Sequence, residues 1–343
     1  MLVDLRNYFS SLLVLILFVA CEPPQIRYEI SPPYPVLSEP DIPELEPDTS
    51  NRRFIVFGDW GGGDKWRPGS IYRQHAVADG MAEMVTRRDR GVQYAISTGD
   101  NFYEKGVSSI TDRKWRTIFE EVYDVGRFPL RFYAVLGNHD YGKNPLAQVG
   151  YHLLNSGSAS GRWYMPDRYY TFSDTLSDET TLQFFALDSQ ILLEEGWYKK
   201  YQKRTGEAPG QSEKHLAWLE DHLSDSRADW KIAIMHHPVY SNGRHGDTEW
   251  LKEHVKPLFE KYGVQVVFSG HDHDLEVLKP VNGVQYFVSG AGANVHDVSW
   301  RENTVFAFAG TGFMWCRIVK DELLVVLHDR KGDPVWAESV RRR

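Results

Sequence analysis

Cysteine is scarce in this chain of 343 residues: Cys21 and Cys316 are all there is. Two cysteines in unrelated contexts do not support a disulfide framework, so a packed core has to carry the stability. Cys316, within Phe313-Met314-Trp315-Cys316-Arg317-Ile318-Val319, reads as a small buried hydrophobe on a strand. Basic charge is also in deficit. Lys and Arg number 39 against 47 Asp and Glu, a formal net charge of −8, which argues against nucleic acid as a main partner. A negative body does nothing to attract phosphate esters either, so a positive field at a site for them has to come from metal ions or from local Lys and Arg. Internal repeats are missing, and so is a second long apolar stretch beyond the one near the N-terminus. What is present is ordinary for a globular protein, 42% hydrophobic and 25% charged. The body is large enough to bury about three quarters of its unfolded surface in one domain.

Residues 1–21 hold a short polar start with Arg6, an apolar stretch from Leu12 to Ala20, and then Cys21. The stretch is too short to span a bilayer comfortably and has the proportions of a signal-peptide core. A small residue followed by Cys21 resembles a bacterial lipoprotein signal. That implies an exported protein, lipid-anchored to a bacterial membrane at the periplasmic or cell-surface side; an ordinary cleaved secretion signal is the alternative. Residues 22–51 are rich in proline and acid and read as an extended, self-repelling tether. Residues 52–343 form the folded body. There, Val77, Met81, Met84 and Val85 recur at helical spacing within a helix over 72–88, with further helices near 112–123 and 248–262. Leu216, Leu219 and Leu223 mark an amphipathic helix over 212–224, with Ser212 as its N-cap. Residues 142–168 read as a long polar loop, and the segment around Trp197 and Tyr198 as another. Strands alternating with helices, then a run of strands, predict an α/β fold of two β-sheets packed together with helices outside.

Five apolar runs end in the same manner. Residues 54–57 lead into Gly58-Asp59, and residues 92–98 into Gly99-Asp100-Asn101-Phe102-Tyr103. Residues 132–136 lead into Gly137-Asn138-His139-Asp140, residues 232–235 into His236-His237-Pro238, and residues 264–269 into Gly270-His271-Asp272-His273. An unpaired carboxylate at the end of a buried strand is costly, and open α/β sheets place their ligands at the carboxyl ends of strands. The five tips therefore predict one metal site. Asp100 suits a bridge between two ions and Asp59 is the other hard anionic ligand. His236, His271 and His273 offer imidazole nitrogens, and Asn138 a carbonyl oxygen. Mixed carboxylate and imidazole ligation fits iron, zinc or manganese better than calcium or magnesium. Two metals about 4 Å apart activate a hydroxide and neutralise an in-line phosphoryl displacement, which points to phosphoester hydrolysis.

Single residues also have plainer readings. His75, His152, His215 and His296 read as ordinary surface or core histidines. Glu120-Glu121 and the basic run from Lys199 to Arg204 read as solvated faces. Trp60, Trp66, Trp163 and Trp197 read as core or loop anchors, with Trp163 or Trp197 a candidate to line a pocket.

The ordered blocks resemble the calcineurin-like metallophosphoesterase superfamily, which implies a four-layer α-β-β-α sandwich of two mixed sheets. Most of that superfamily has Asp-x-His in the first block; here it is Asp59-Trp60-Gly61, and Tyr103 follows Asp100 by three positions. That exchange resembles the purple acid phosphatases. Asp59-Trp60-Gly61-Gly62, Gly99-Asp100-Asn101-Phe102-Tyr103 and Ser289-Gly290-Ala291-Gly292 are similar to the small, tartrate-resistant animal type. The resemblance implies an Fe(III) site of Asp59, Asp100, Tyr103 and His273. It implies a second site of Asp100, Asn138, His236 and His271 for a divalent Fe, Zn or Mn. It places His139 over the substrate phosphate and makes His245, nine residues after His236, the group that protonates the leaving oxygen. His237 departs from the animal type, which has Tyr there. The implied activity is acid phosphatase action on phosphate monoesters by attack of a metal-bound hydroxide. The substrates would be phosphorylated small molecules, the protein a monomer, and the membrane its partner through the lipid. A phosphodiesterase or nucleotidase with the same metals is the alternative within enzymes. A surface binding protein on an inactive scaffold is the alternative outside them.

Overall fold

Short runs of β-branched and aromatic residues between Gly, Asp and Asn turns favour pleated surfaces. The computed structural model forms fourteen of them among the described residues, which are 50–62, 69–153 and 159–342. In order they are β1 (Asn51–Phe57), β2 (Tyr94–Ser97), β3 (Arg131–Ala134), β4 (Trp163–Tyr164), β5 (Tyr170–Thr175), β6 (Thr181–Ala186) and β7 (Trp230–Ile234). There follow β8 (Val266–Ser269), β9 (Leu275–Leu278), β10 (Gln285–Ser289), β11 (Thr304–Phe308), β12 (Gly312–Val319), β13 (Glu322–Asp329) and β14 (Pro334–Arg341). The α-helices are α1 (Ser70–Glu83), α2 (Leu146–His152), α3 (Ser189–Leu193), α4 (Gly196–Thr205), α5 (Gln211–Asp225), α6 (Glu249–His254) and α7 (Lys256–Tyr262). The leader with Cys21, nearly all of the tether, and Trp66 lie outside the described residues; Asn51, placed at the tether's end, already opens β1. Among the described residues no helix is long and apolar enough to cross a membrane.

The strands form two seven-stranded mixed sheets, ordered β14-β13-β12-β1-β2-β3-β4 and β11-β9-β10-β8-β7-β6-β5. Aromatic rings from facing sides interlock between them. Phe54 meets Phe184 and Phe268 edge-on at 5.7 and 6.3 Å, and Tyr133 stacks on Phe172 at 3.9 Å. Each such ring, fully buried, contributes about 1.5–3 kcal/mol. Outside the second sheet, Leu219 and Leu223 of α5 and Leu251 and Phe259 of α6 and α7 cover Ala233 and Val267. Outside the first sheet, Trp60, Phe119, Tyr123 and Trp163 pack around Phe57 and Phe132. The fold is the expected α-β-β-α sandwich. In the first sheet β1, β2 and β3 run parallel, with Phe57 level with Ser97 and Ser97 level with Ala134. In the second, β6, β7, β8 and β10 run parallel, with Ile234 level with Phe268 and Ser269 with Val288. Their carboxyl ends therefore deliver their loops to one edge.

Several local expectations are corrected. Residues 142–168 are not a plain loop: they form α2 and β4, and Gln148, Tyr151 and Trp163 among them are buried. Trp163 is core, stacked edge-on against Trp115 at 5.2 Å. The segment around Trp197 is α4, whose buried face holds only Tyr198 and Tyr201, too little to register as a period. Ser212 is not a cap. Helix α5 starts after Gly210, and the Ser212 hydroxyl donates to the Leu192 carbonyl at 2.7 Å. The helix expected over 248–262 breaks at Val255, because Pro257 in the first turn of α7 lacks the N–H that a continuous helix needs. Glu120 is not solvated; it accepts from Arg162 and from the Tyr151 hydroxyl, both at 3.0 Å. Cys316 is buried as expected.

Candidate metal centre

Five strand tips meet at one edge, and three of their backbones are bent into the left-handed region. Asp59, Asp100 and His271 have φ of 56°, 51° and 70°. Left-handed backbone costs a residue with a side chain about 1 kcal/mol or more, and such strain gathers at functional sites. Two glycines allow the approach. A Cβ on Gly99, itself at φ 98°, would lie 2.9 Å from the Gly137 nitrogen and the His236 ring, and one on Gly137 would lie 2.1 Å from Asp100 Oδ1.

The donor atoms fall into two groups. In the first, the Tyr103 hydroxyl lies 2.8 Å from Asp59 Oδ1 and 3.1 Å from His273 Nε2, which is 3.3 Å from Asp59 Oδ1. In the second, His236 Nε2 lies 2.9 Å from Asn138 Oδ1, 3.2 Å from His271 Nδ1 and 3.6 Å from Asp100 Oδ1. Ligands at about 2.1 Å from an ion stand roughly 3.0–3.4 Å apart in octahedral or tetrahedral arrangements, so both groups fit a cation. Asp100 lies between them, since Asp59, Asp100 and His236 bring ligand atoms within 4.8 Å of one another. All seven sequence-predicted ligands are thus together. Burial pushes the Asp59 carboxyl up to about 7, with Asp100 adding to the rise. For Asp100, burial works upward but the His236 and His139 rings outweigh it and hold its pKa low.

His139 stands at the edge of this centre, its ring 4.7 Å from that of Tyr103. Its Nδ1 is 2.6 Å from the Glu104 carbonyl, so that nitrogen donates and Nε2 turns inward, 3.9 Å from Asp100 Oδ2. Burial works to lower its pKa, but the Asp100 carboxylate and the Glu104 carbonyl raise it overall. His245 is exposed, its ring 4.2 Å from His271, and its backbone N–H donates to Asp272 at 2.8 Å. A cleft of 450 Å³ opens here, lined among others by Asn138, His237, His245 and His271 and by Trp197 and Trp250. Trp197, unlike Trp163, does line the pocket.

A family model described as calcineurin-like phosphoesterase matches residues 52–275. Tartrate-resistant acid phosphatase type 5 of Oryctolagus cuniculus is 30% identical over 317 residues, covering 88% of this chain and 94% of its own. The chain belongs to the purple acid phosphatases. Their superfamily is one of phosphoric ester hydrolases. Purple acid phosphatase 3 of Arabidopsis thaliana is 32% identical over 287 residues, covering 80% of this chain and 74% of its own. Among solved structures, GAP50, described as the anchor in the inner membrane complex of Plasmodium, superposes with a TM-score of 0.73 at 24% identity. It covers 85% of this chain and 89% of its own, a likeness that concerns the fold.

This purple acid phosphatase also uses residues that the motif reading passed over. Asp140 takes N–H groups from Gly137 at 2.9 Å, Asn101 at 3.1 Å and Phe102 at 3.2 Å, and the Gln148 amide at 2.8 Å. It thereby clamps the Asp100 loop to the Asn138 loop. Its presence inside the Gly137-to-Asp140 block was the available signal. His296, expected to be ordinary, stacks on His273 at 4.1 Å with the rings 13° from parallel. Glu276 takes the backbone N–H groups of Asn242 and Gly243, fixing the loop that carries His245. Neither role has a local sequence signal.

Proposed function

We propose that this protein is an acid phosphatase that hydrolyses phosphate monoesters at a two-metal centre. The observation that carries the reading is the pair of donor groups, each with ligand-like spacing, with Asp100 between them. Asp59, Asp100, Tyr103 and His273 would hold one ion, taken as Fe(III); Asp100, Asn138, His236 and His271 would hold a divalent one. When bound, two such cations acidify water and neutralise charge on a phosphoryl group. The remaining work falls to side chains. His139, fixed by the Glu104 carbonyl, turns Nε2 toward the phosphate and stabilises developing charge. His245, exposed in the lining of the cleft, holds the proton that the leaving oxygen takes. Trp197 and Trp250 offer flat apolar walls, while Glu195, Asp247 and Glu249 set a negative rim. That combination favours a monoester with an aromatic or apolar leaving group over a polyphosphate.

A panel of aryl, alkyl and nucleotide monoesters and diesters, run across pH on metal-quantified protein, tests this. Two metals per chain and monoester turnover strongest on the acid side are expected. Faster diester cleavage would make the protein a phosphodiesterase, and no bound metal with no turnover would make it a binding protein. The Cys21 reading supports export and a lipid anchor. A Cys21→Ser protein should then move to the soluble fraction, and wild type without acyl mass would refute the anchor.

A further inference from the structure

His236 is followed directly by a second histidine to which the metal centre gives no task. His237 is only 6% exposed, yet it lines the cleft together with Asn138 and His271. Its ring centroid lies 4.5 Å from that of His271 and 5.0 Å from that of His236. A single hydroxyl orients it. Ser189 Oγ accepts the His237 backbone N–H at 2.9 Å and lies 2.8 Å from ring Nδ1. A hydroxyl that has taken one N–H still has its own hydrogen to give, and Nδ1, 2.8 Å away, is within reach of it. An imidazole that accepts at Nδ1 carries its hydrogen on Nε2. Ser189 is itself firmly placed as the first residue of α3. Asp188 before it accepts the N–H groups of Gln190 and Ile191, both at 3.1 Å, and the Tyr141 hydroxyl at 2.5 Å.

We infer that His237 binds the phosphoryl group: its Nε2–H, aimed by Ser189, donates to a phosphate oxygen in the cleft. The inference rests on the two-metal phosphatase reading. The competing role is as a further metal ligand, because His236, His237 and His271 bring ligand nitrogens within 4.8 Å of one another.

Metal-loaded wild type, His237→Phe, His237→Gln and Ser189→Ala would be compared for metal content, for KM and kcat with a monoester, and for inhibition by inorganic phosphate. All four should hold two metals. His237→Phe should raise both KM and the phosphate inhibition constant about tenfold, the lower range for a hydrogen bond to a charged group. His237→Gln keeps an N–H and should recover part of that loss. Ser189→Ala should raise both by about threefold, since the ring stays but its tautomer is freed. Loss of a metal from either His237 variant would overturn the inference and make the residue a ligand. Unchanged phosphate inhibition would make it packing. If His237→Phe does not fold, His237→Gln and Ser189→Ala carry the same comparison. Wild type that lacks metal or monoester turnover would instead overturn the phosphatase reading beneath it.

Discussion

The two donor groups of the centre differ in charge and in access. One combines a carboxylate, a phenol and an imidazole, with Asp59, Tyr103 and His273 at most 3% exposed. The other adds only neutral donors to the shared Asp100, and two of them, Asn138 and His271, open onto the cleft. A buried group with two acidic oxygens favours a highly charged ion that stays. A neutral group at the cleft favours a divalent ion that meets substrate. On the proposed two-metal reading, one side of the centre would be an anchor and the other a workplace.

The largest expected effect removes that distinction altogether. Asp100→Ala takes away the carboxylate between the groups, and both metals should be lost, with kcat falling about 10⁴-fold or more. Elemental analysis and turnover read this; a variant that keeps two metals and activity sinks the bridging role. Tyr103→Phe should act on the anchor alone. A phenol has a pKa of about 10, so a trivalent ion has to hold it deprotonated, and a ferric phenolate absorbs visible light. Iron-loaded wild type should be purple to pink, and the variant colourless with weaker iron binding but a normal content of the second metal. Colour retained in the variant would make Tyr103 a packing residue. His245→Ala should act on the workplace alone. Its kcat loss should reach about 10²-fold for alkyl phosphates and be much smaller for aryl phosphates, whose leaving oxygen needs less help. Equal losses along a leaving-group series would mean that His245 only shapes the loop.

The smallest effect lies outside both groups. His215 on α5 stacks on Tyr169 at 3.9 Å, and burial together with the Arg168 charge lowers its pKa to about 3. Unfolded histidine takes a proton near 6.5. Between those values the unfolded chain binds a proton that the native ring refuses, so stability falls as pH falls through that window. At pH 5 the loss is about 2 kcal/mol. His215→Phe should flatten the decline in Tm between pH 7 and pH 5; an unchanged decline would place the acid sensitivity elsewhere, with His328 the next candidate, its pKa lowered to about 4 by burial.

The candidate ligands were legible because their signal is local. Each follows a short apolar run at a strand's end, and the chemistry of a two-metal site demands those residue types. The alternation of strands and helices was legible for the same reason, since each element's apolar period is written within its own residues. The supports were not. Asp140 clamps two loops through contacts up to 39 residues away, and Glu276 reaches 34 residues back to Asn242. Their roles are set by which loops the parallel registers bring to one edge. Helix α4 was hidden because its outer face is polar and exposed, and its helical state depends on Tyr198 and Tyr201 docking edge-on against Tyr141. His237 shows the division within one residue. The sequence by itself determined that an imidazole would stand beside His236. Only the tertiary structure brought Ser189 from 48 residues away to within 2.8 Å of Nδ1, the contact on which the proposed donation by Nε2–H rests.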